Sequence, residues 1–430
     1  MFGKKKPEVL VVGAGPVGLF SALTLAQRGV QVQVVDKEWR TGAHSYALAL
    51  HPRSLQLFDD AGLLGRILDK AYRVRTIGLF DGAERRSEMR LTDLEEDFSF
   101  VAVMRQDLLE TLLEEALRDL GVKVQWNHEV AVIAPEEDHV EVTVDKLEKS
   151  AFGYGVAHGE WVVANSNTFK VPYVIGADGH RSRVRKALGI DFEEVGPAEH
   201  FAVFEFETDA DLHHEMRLVM DDETTNVLWP LPDGHCRWSF QIDDDEAIMG
   251  PRRKDRFDVP LGTARFPVLS EDSLHELIKA RAPWFSARID EVRWRLVVRF
   301  ERRLAQNFGK GRMWLAGDAG HMTGPAGIQS MNVGLVEAYE LANIIADNLQ
   351  GTGTPALLEA YNRERLAMWR SLLGLSADLT SGPQTDPWVR DRADRLLPCI
   401  PASGDDLAQL LAQVGLSVGK GRAINLEELG

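Results

Sequence analysis

Cysteine is nearly absent: Cys236 and Cys399 are the only two in 430 residues. They lie far apart and show no metal-ligand spacing. Neither a disulfide framework nor a cysteine-held metal is expected, and a reducing, cytoplasmic setting is the simplest reading. Long apolar runs are missing too. No stretch approaches the ~18 residues that a spanning helix needs, so no integral membrane contact is expected. Positive charge is in deficit, with 49 Lys and Arg against 66 Asp and Glu, a net −17. That balance argues against nucleic acid or anionic membrane surfaces as partners. Lys4-Lys5-Lys6 is followed only by the short apolar run Val9 to Val12 and by no small-residue cleavage site, so it reads as a solvated tail rather than a signal peptide. Repeats and low-complexity segments are also lacking.

What is present begins at that short run. Val9 to Val12 is unbroken and apolar, the pattern of a parallel strand buried on both faces. Gly13-Ala14-Gly15-Pro16-Val17-Gly18 follows at once and supplies G-x-G-x-x-G. Leu19, Ala22, Leu23 and Ala26 then share one helical face, Gly29 stops the helix, and a second strand runs into Asp36-Lys37, with Asp36 23 residues past Gly13. Gly13 permits a tight turn, Gly15 lets backbone approach a pyrophosphate, and Gly18 lets helix pack on strand. The helix N-terminus faces phosphate, and Asp36 can accept from a ribose hydroxyl. The unit defines a dinucleotide site without choosing between FAD and NAD(P).

Further on, residues 106–120 form a strongly amphipathic helix closed by Gly121. Residues 129–133 and 140–145 pair as antiparallel strands, and the glycine-rich, polar residues 153–167 read as a loose loop. A buried strand at 170–175 runs into Gly176-Ala177-Asp178-Gly179. Asp178 lies at a strand's ligand-facing end, where it either holds a cofactor hydroxyl or fixes a neighbouring loop. Residues 199–299 change character to short alternating strands and turns, with residues 244–262 a charged excursion. A buried strand at 313–316 ends in Gly317-Asp318. The glycine-rich loop Thr323-Gly324-Pro325-Ala326-Gly327 then opens a helix over about 329–349, whose free N–H groups can stabilise negative charge on a bound ring. A further helix at 355–373 and an amphipathic segment at 407–414 complete the chain.

Three sites in this order resemble the single-component flavoprotein monooxygenases, the aromatic hydroxylases related to para-hydroxybenzoate hydroxylase. They are Gly13-x-Gly15-x-x-Gly18, Gly176-Ala177-Asp178-Gly179 with its arginines, and Gly317-Asp318-Ala319-Gly320-His321, and the likeness spans roughly residues 7 to 375. The resemblance implies an α/β fold: a Rossmann-like FAD-binding domain, an inserted, mostly antiparallel substrate domain and a helical C-terminal segment. The expected division is 1–75, 101–189 and 300–350 for FAD, 76–100 and 190–299 for substrate, and 351–430 for the C-terminal helices. It further implies that Arg105 reaches the FAD ribose or phosphates, that Asp318 meets the ribityl or ribose, and that Pro325, Gly327, Ile328, Met331 and Asn332 surround the isoalloxazine. NAD(P)H is the implied cosubstrate, binding transiently because no second fingerprint occurs. One oxygen atom of O2 would pass through a flavin C4a-hydroperoxide to an aromatic or polycyclic small molecule, phenolic or polyketide-like, in a monomer or homodimer. Related Baeyer-Villiger, epoxidation or dehydrogenation chemistry, or a flavin-binding partner protein without turnover, are the alternatives. Three departures stand out. Ser45-Tyr46-Ala47 replaces Ser-Arg-Ala, Gly327-Ile328-Gln329-Ser330-Met331-Asn332 replaces Gly-Gly-Gln-Gly-Met-Asn, and Gly320 replaces an alanine. His44, Tyr46, His51 and His321 read as scaffold, and no general base is assignable.

Overall fold

A computed structural model describes residues 6–39, 49–95, 97–152, 158–242, 259–261, 264–266, 269–376 and 379–418. His44, Tyr46, the Ser45-Tyr46-Ala47 loop, Lys4 and Lys5, and most of the 244–262 excursion, on all of which the sequence raises expectations, lie outside these residues.

The fingerprint unit forms as its sequence dictates. Strand Val9–Val12 is buried throughout, helix Pro16–Gln27 packs over it, and strand Val32–Val35 returns beside it in parallel. The sheet they begin has six strands. Its order is Gly309–Lys310, Met313–Leu315, Tyr173–Gly176, Val9–Val12, Val32–Val35 and Val124–Gln125. All neighbours are parallel except the antiparallel edge pair at Gly309–Lys310. The strands that end in Gly13, Gly176 and Gly317 are therefore adjacent, and their C-terminal ends share one edge. Helices Pro16–Gln27, Gln106–Asp119 and Gln329–Gln350 cover one face through a single apolar core.

The second sheet has eight strands, in the order His321–Met322, Ile289–Ala305, Phe192–Thr208, His235–Ile242, Thr225–Leu231, Glu215–Met220, Thr76–Asp81 and Glu84–Arg90. Only Glu215–Met220 and Thr76–Asp81 pair in parallel. The expected α/β fold with a mostly antiparallel inserted sheet is what forms. One face of this sheet buries Phe204, Phe206, Trp238 and Phe240 under helix Glu271–Arg281. The His321–Met322 strand hydrogen-bonds to Arg303 and Leu304 and carries the chain from the parallel sheet onto this one.

Two local expectations are corrected. Residues 153–167 are not a loose loop throughout, because Val140–Phe152 and His158–Val171 make a long antiparallel hairpin. Its base is apolar on one side at Val140, Val142 and Val144. Trp161 and Val163 on its second strand stand exposed, so no one-sided apolar pattern marks that stretch. The strand expected at 170–175 is two strands, split at Pro172, whose missing N–H ends one ladder before Tyr173 starts the next.

Candidate functional site

The three strand ends open onto a cleft of about 680 Å3, within the usual size for a small-molecule site. Gly15, Pro16 and Val17 line it from the first motif, Ala177, Gly179, His180 and Arg181 from the second, and Ala316 and Asp318 from the third. The loop from Met322 to Met331 closes one end, and Val298 to Glu301 of the large sheet supplies the facing wall.

The glycines have separate jobs. Gly13 has φ +105°, and a Cβ there would meet Ala177 O at 2.1 Å; a Cβ on Gly18 would meet Gly13 O at the same distance. These two are excluded volume behind the cleft. Gly15 differs: a Cβ there meets nothing within 4 Å, and the residue faces the cleft. It caps helix Pro16–Gln27 with no side-chain bond, and Pro16 at the first helical position has no N–H to satisfy. The first-turn amides of a helix, beside a residue without a side chain, suit a phosphate group.

The acids of the motifs are largely committed to the scaffold. Asp36 accepts from Ala14 N at 2.7 Å on one oxygen and from Glu38 N at 2.8 Å on the other, and Lys37 beside it is exposed. Asp178 Oδ2 accepts from Arg183 N at 2.6 Å and Val184 N at 3.3 Å, while Oδ1 is buried without a partner. Desolvation outweighs these bonds and raises its pKa. Asp318 is exposed in the cleft and accepts from Ser330 Oγ at 2.6 Å. Arg105 caps helix Gln106–Asp119, but its guanidinium is held by Asp107 at 2.9 Å and 3.1 Å; Gln106, not Arg105, lines the cleft.

The Gly327 loop is fixed from behind. A Cβ on Gly327 would meet Pro398 O at 2.6 Å and Ile400 O at 2.8 Å, and Gln329 Nε2 donates to Leu397 O and Ile400 O. Asn332 is spent on the same task. It accepts from His51 N and Ser54 Oγ, and donates to Ala49 O and Ile328 O. Its side chain therefore serves the loop rather than the cleft. His51 is packing, as read: Nε2 reaches Gly327 O at 2.8 Å, and burial pulls its pKa down to about 3. Ile328 lines the cleft in the left-handed region, φ 51° and ψ 35°, which a β-branched residue rarely adopts.

Beneath Asp318 lies a buried network that sequence reading missed. Glu337 accepts from Gly317 N at 2.8 Å, from Trp369 Nε1 at 2.7 Å and from His321 Nε2 at 2.9 Å. Burial alone would raise its pKa, but His321, Arg365 and these donors outweigh it and hold the carboxyl below its usual range. The signal was legible, since Glu337 is an acid on the apolar stripe of Leu335, Ala338, Leu341 and Ala342. The facing wall at Val298 to Glu301, and Thr323, were also missed. Thr323 is 7% exposed and its Oγ1 has no partner, so the loop wall holds an unused polar atom.

On the other side of Pro325 and Ala326 is a small aromatic recess. Trp229, Trp294 and Phe300 line it with Val203, Val227, Val298, Ser239 and Arg237. Arg237 is 3% exposed and paired with Glu205.

A parallel sheet with a glycine fingerprint at one strand end, abutting a large antiparallel sheet across a shared cleft, defines a dinucleotide-binding protein. The comparisons agree. The family model described as "FAD binding domain" matches residues 6–376, so the chain belongs to that family, and FAD is its cofactor. The chain is 31% identical over 385 residues to 6-methylpretetramide 4-monooxygenase of Streptomyces rimosus, covering 87% of this chain and 62% of that protein. It is 26% identical over 381 residues to pentachlorophenol 4-monooxygenase of Sphingobium chlorophenolicum, covering 85% and 63%. It thus spans rather more than three fifths of the length of these two relatives. The crystal structure of p-nitrophenol 4-monooxygenase from Pseudomonas putida DLL-E4 superposes with a TM-score of 0.69 at 23% identity, covering 95% of this chain and 96% of that one, a likeness of fold.

Proposed function

We propose that the chain is an FAD- and NAD(P)H-dependent monooxygenase that places one oxygen atom of O2 on an aromatic or polycyclic, phenolic or polyketide-like small molecule. The observation that carries this reading is the continuity of the cleft. It runs from the helix N-terminus at Gly15 to the Pro325 loop, along Val298 to Glu301 of the large sheet. The residues fit FAD on structural grounds. Gly15 leaves a Cβ-sized space open, and Thr323 offers an unpaired buried hydroxyl.

FAD, once bound and reduced by NAD(P)H, supplies the chemistry of O2 activation. The protein's own residues do the rest. Gly15, Pro16 and Val17 receive the pyrophosphate at the helix N-terminus, with Gly13, Ala14 and Gly18 shaping that turn from behind. Asp36 and Lys37 border the ribose position. Each Asp36 oxygen keeps a second lone pair beyond the amide it already accepts, so ribose contact and scaffold role coexist. Arg105 joins the cofactor only by sharing its guanidinium with Asp107, an exposed pair worth at most about 1 kcal/mol. Asp178 fixes the Gly179–Arg183 turn at the cleft edge, and Gly317 brings Asp318 to the ribityl side. Pro325, Gly327, Ile328 and Met331 form the ring-side wall, which the C-terminal segment holds still. Trp229, Trp294 and Phe300 back the Pro325 wall, and the recess they line, about 20 Å3, has room for about one water. The large sheet, with residues 76–100 and 190–299, is the substrate-bearing part.

The test is direct. Purified protein should show visible flavin bands that bleach anaerobically with NADPH or NADH, and oxygen consumption should rise with a phenolic substrate and yield hydroxylated product. Colourless protein that takes up no added FAD would remove the proposal and favour a binding protein without turnover.

A further inference from the structure

His180 stands on the cleft wall with its backbone held and its ring free. The turn that carries it is pinned at several points. Asp178 Oδ2 accepts from Arg183 N and Val184 N, Ser182 N donates to Gly179 O at 2.9 Å, and Arg185 Nη2 donates to His180 O at 2.7 Å. Through Nη1 the same guanidinium donates to Ala319 O at 2.7 Å, which ties this turn to the one that carries Asp318. The imidazole, by contrast, is exposed in the cleft and has no hydrogen-bond partner among the described residues.

Its neighbours locate it along the cleft. Lys37, at the ribose end, and Asp318, at the ribityl end, both act on its charge, as do Arg181 beside it and Glu301 on the facing wall. The base of its turn abuts the fingerprint, since a Cβ on Gly13 would meet Ala177 O at 2.1 Å. A dinucleotide laid from Lys37 to Asp318 carries its diphosphate between those ends, over the helix N-terminus at Gly15 and within the stretch that His180 borders.

The charges that face the ring are two cations, Lys37 and Arg181, and two anions, Asp318 and Glu301. Both anions are already engaged. Asp318 accepts from Ser330 Oγ at 2.6 Å, and Glu301 is paired with Arg299 and Arg303 on its own strand. Desolvation is the largest effect on the imidazole, and it lowers the pKa below 6.5. In the FAD-free chain the ring is therefore mostly neutral at pH 7 and above. A diphosphate brings two negative charges and acceptor oxygens, and it favours the imidazolium, in which both ring nitrogens donate.

We propose that His180 is the titratable partner of the FAD diphosphate, so that FAD binding draws a proton onto this ring and FAD is held more tightly at low pH. The proposal rests on FAD lying in the cleft with its diphosphate at Gly15. The sign follows from linkage. The complex holds the proton more tightly than the free chain does, so the gain is complete at low pH and is lost as pH rises through the higher pKa of the complex. Arg181 keeps its charge throughout and adds affinity without pH dependence.

The experiment is FAD binding to the FAD-stripped full chain at pH 6, 7 and 8, followed by the change in flavin fluorescence. Calorimetry in buffers of different ionisation enthalpy counts the protons, and oxidised FAD exchanges none of its own in this range. The wild-type Kd should rise roughly tenfold from pH 6 to pH 8, as expected for a pKa raised by about one to two units beside an opposite charge, with a fraction of a proton taken up per FAD near pH 7. His180→Asn and His180→Gln should show a flat profile near the wild type's pH 8 affinity and no uptake. His180→Lys, charged at all three pH values, should be flat at a tighter level. A side chain that only shaped the turn would shift affinity equally at every pH. A wild type that binds FAD with a flat profile, or an asparagine variant that keeps the slope, would overturn the proposal. Uptake that appears only when NADP+ is added to the FAD-loaded protein would overturn it too, and would move His180 to the diphosphate of the nicotinamide nucleotide. A wild type that takes up no FAD would instead remove the reading on which the proposal stands.

Discussion

Ile328 offers a test in which the usual ranking of two substitutions reverses. Its backbone sits at φ 51° and ψ 35°, at the N-terminus of a 22-residue helix, and its side chain is 6% exposed in the cleft wall. Truncating a buried isoleucine to alanine costs about 2–5 kcal/mol through lost transfer energy and the space left behind. That cost is common to Ile328→Ala and Ile328→Gly, since both remove nearly the whole side chain. The two differ in backbone terms. Alanine keeps a Cβ in the left-handed region, at roughly 1–2 kcal/mol, and glycine relieves that strain. Glycine loses roughly 0.5–1 kcal/mol more chain entropy on folding. The balance favours Ile328→Gly over Ile328→Ala by about 0.5–1 kcal/mol, whereas at an ordinary helical position alanine wins by about 1 kcal/mol. The Asn332 Nδ2 bond to Ile328 O, at 2.8 Å, involves only the backbone carbonyl and survives both changes. Urea midpoints at equal m-values read the difference. An alanine variant more stable than the glycine variant by about 1 kcal/mol would refute the claim that this position is strained.

Other expectations follow from the buried groups. His51 has its pKa lowered from 6.5 to about 3 by burial, against the Gly327 bond. The unfolded chain therefore binds the proton first. Stability is complete above pH 6.5 and falls by about 1.4 kcal/mol per pH unit on descent toward 3, and His51→Asn should flatten that slope in urea titrations at several pH values. Trp369→Phe removes a 2.7 Å donor from the buried Glu337 carboxylate and should cost about 1–3 kcal/mol by the same midpoints. Gly327→Ala drives a Cβ into Pro398 O and Ile400 O, and should lower flavin occupancy of purified protein at unchanged far-ultraviolet circular dichroism.

Much of the fold was legible because its signals are local. A buried strand, glycines at fixed offsets and an apolar helical stripe identify the first unit within residues 9–36, and the same logic finds the strands before Gly176 and Gly317. The amphipathic helix at 106–119 needed only its leucines. What failed to show lacked a one-sided pattern. Within the 140–171 hairpin, Trp161 and Val163 stand exposed. At the site, backbone-shaping residues such as Gly13 and Gly18 were readable from sequence. Side-chain partners were not, because Asp36 with Ala14, Arg105 with Asp107 and Asn332 with His51 depend on where chain segments meet in space. Glu337 is the exception, an acid out of place on an apolar stripe.

The support of the Gly327 loop by Pro398 and Ile400 has a bearing on biosynthesis. The fingerprint glycines are written by residue 18, yet the loop at the other end of the cleft lacks its backing until residue 400 has been added. At ordinary elongation rates the two events are separated by roughly 20–80 seconds. The emerging polypeptide can form its first strand-helix-strand unit early, but the ring-side wall rests on carbonyls made near the finish of the described chain. The backing of the ring-side loop is thus a late event of synthesis.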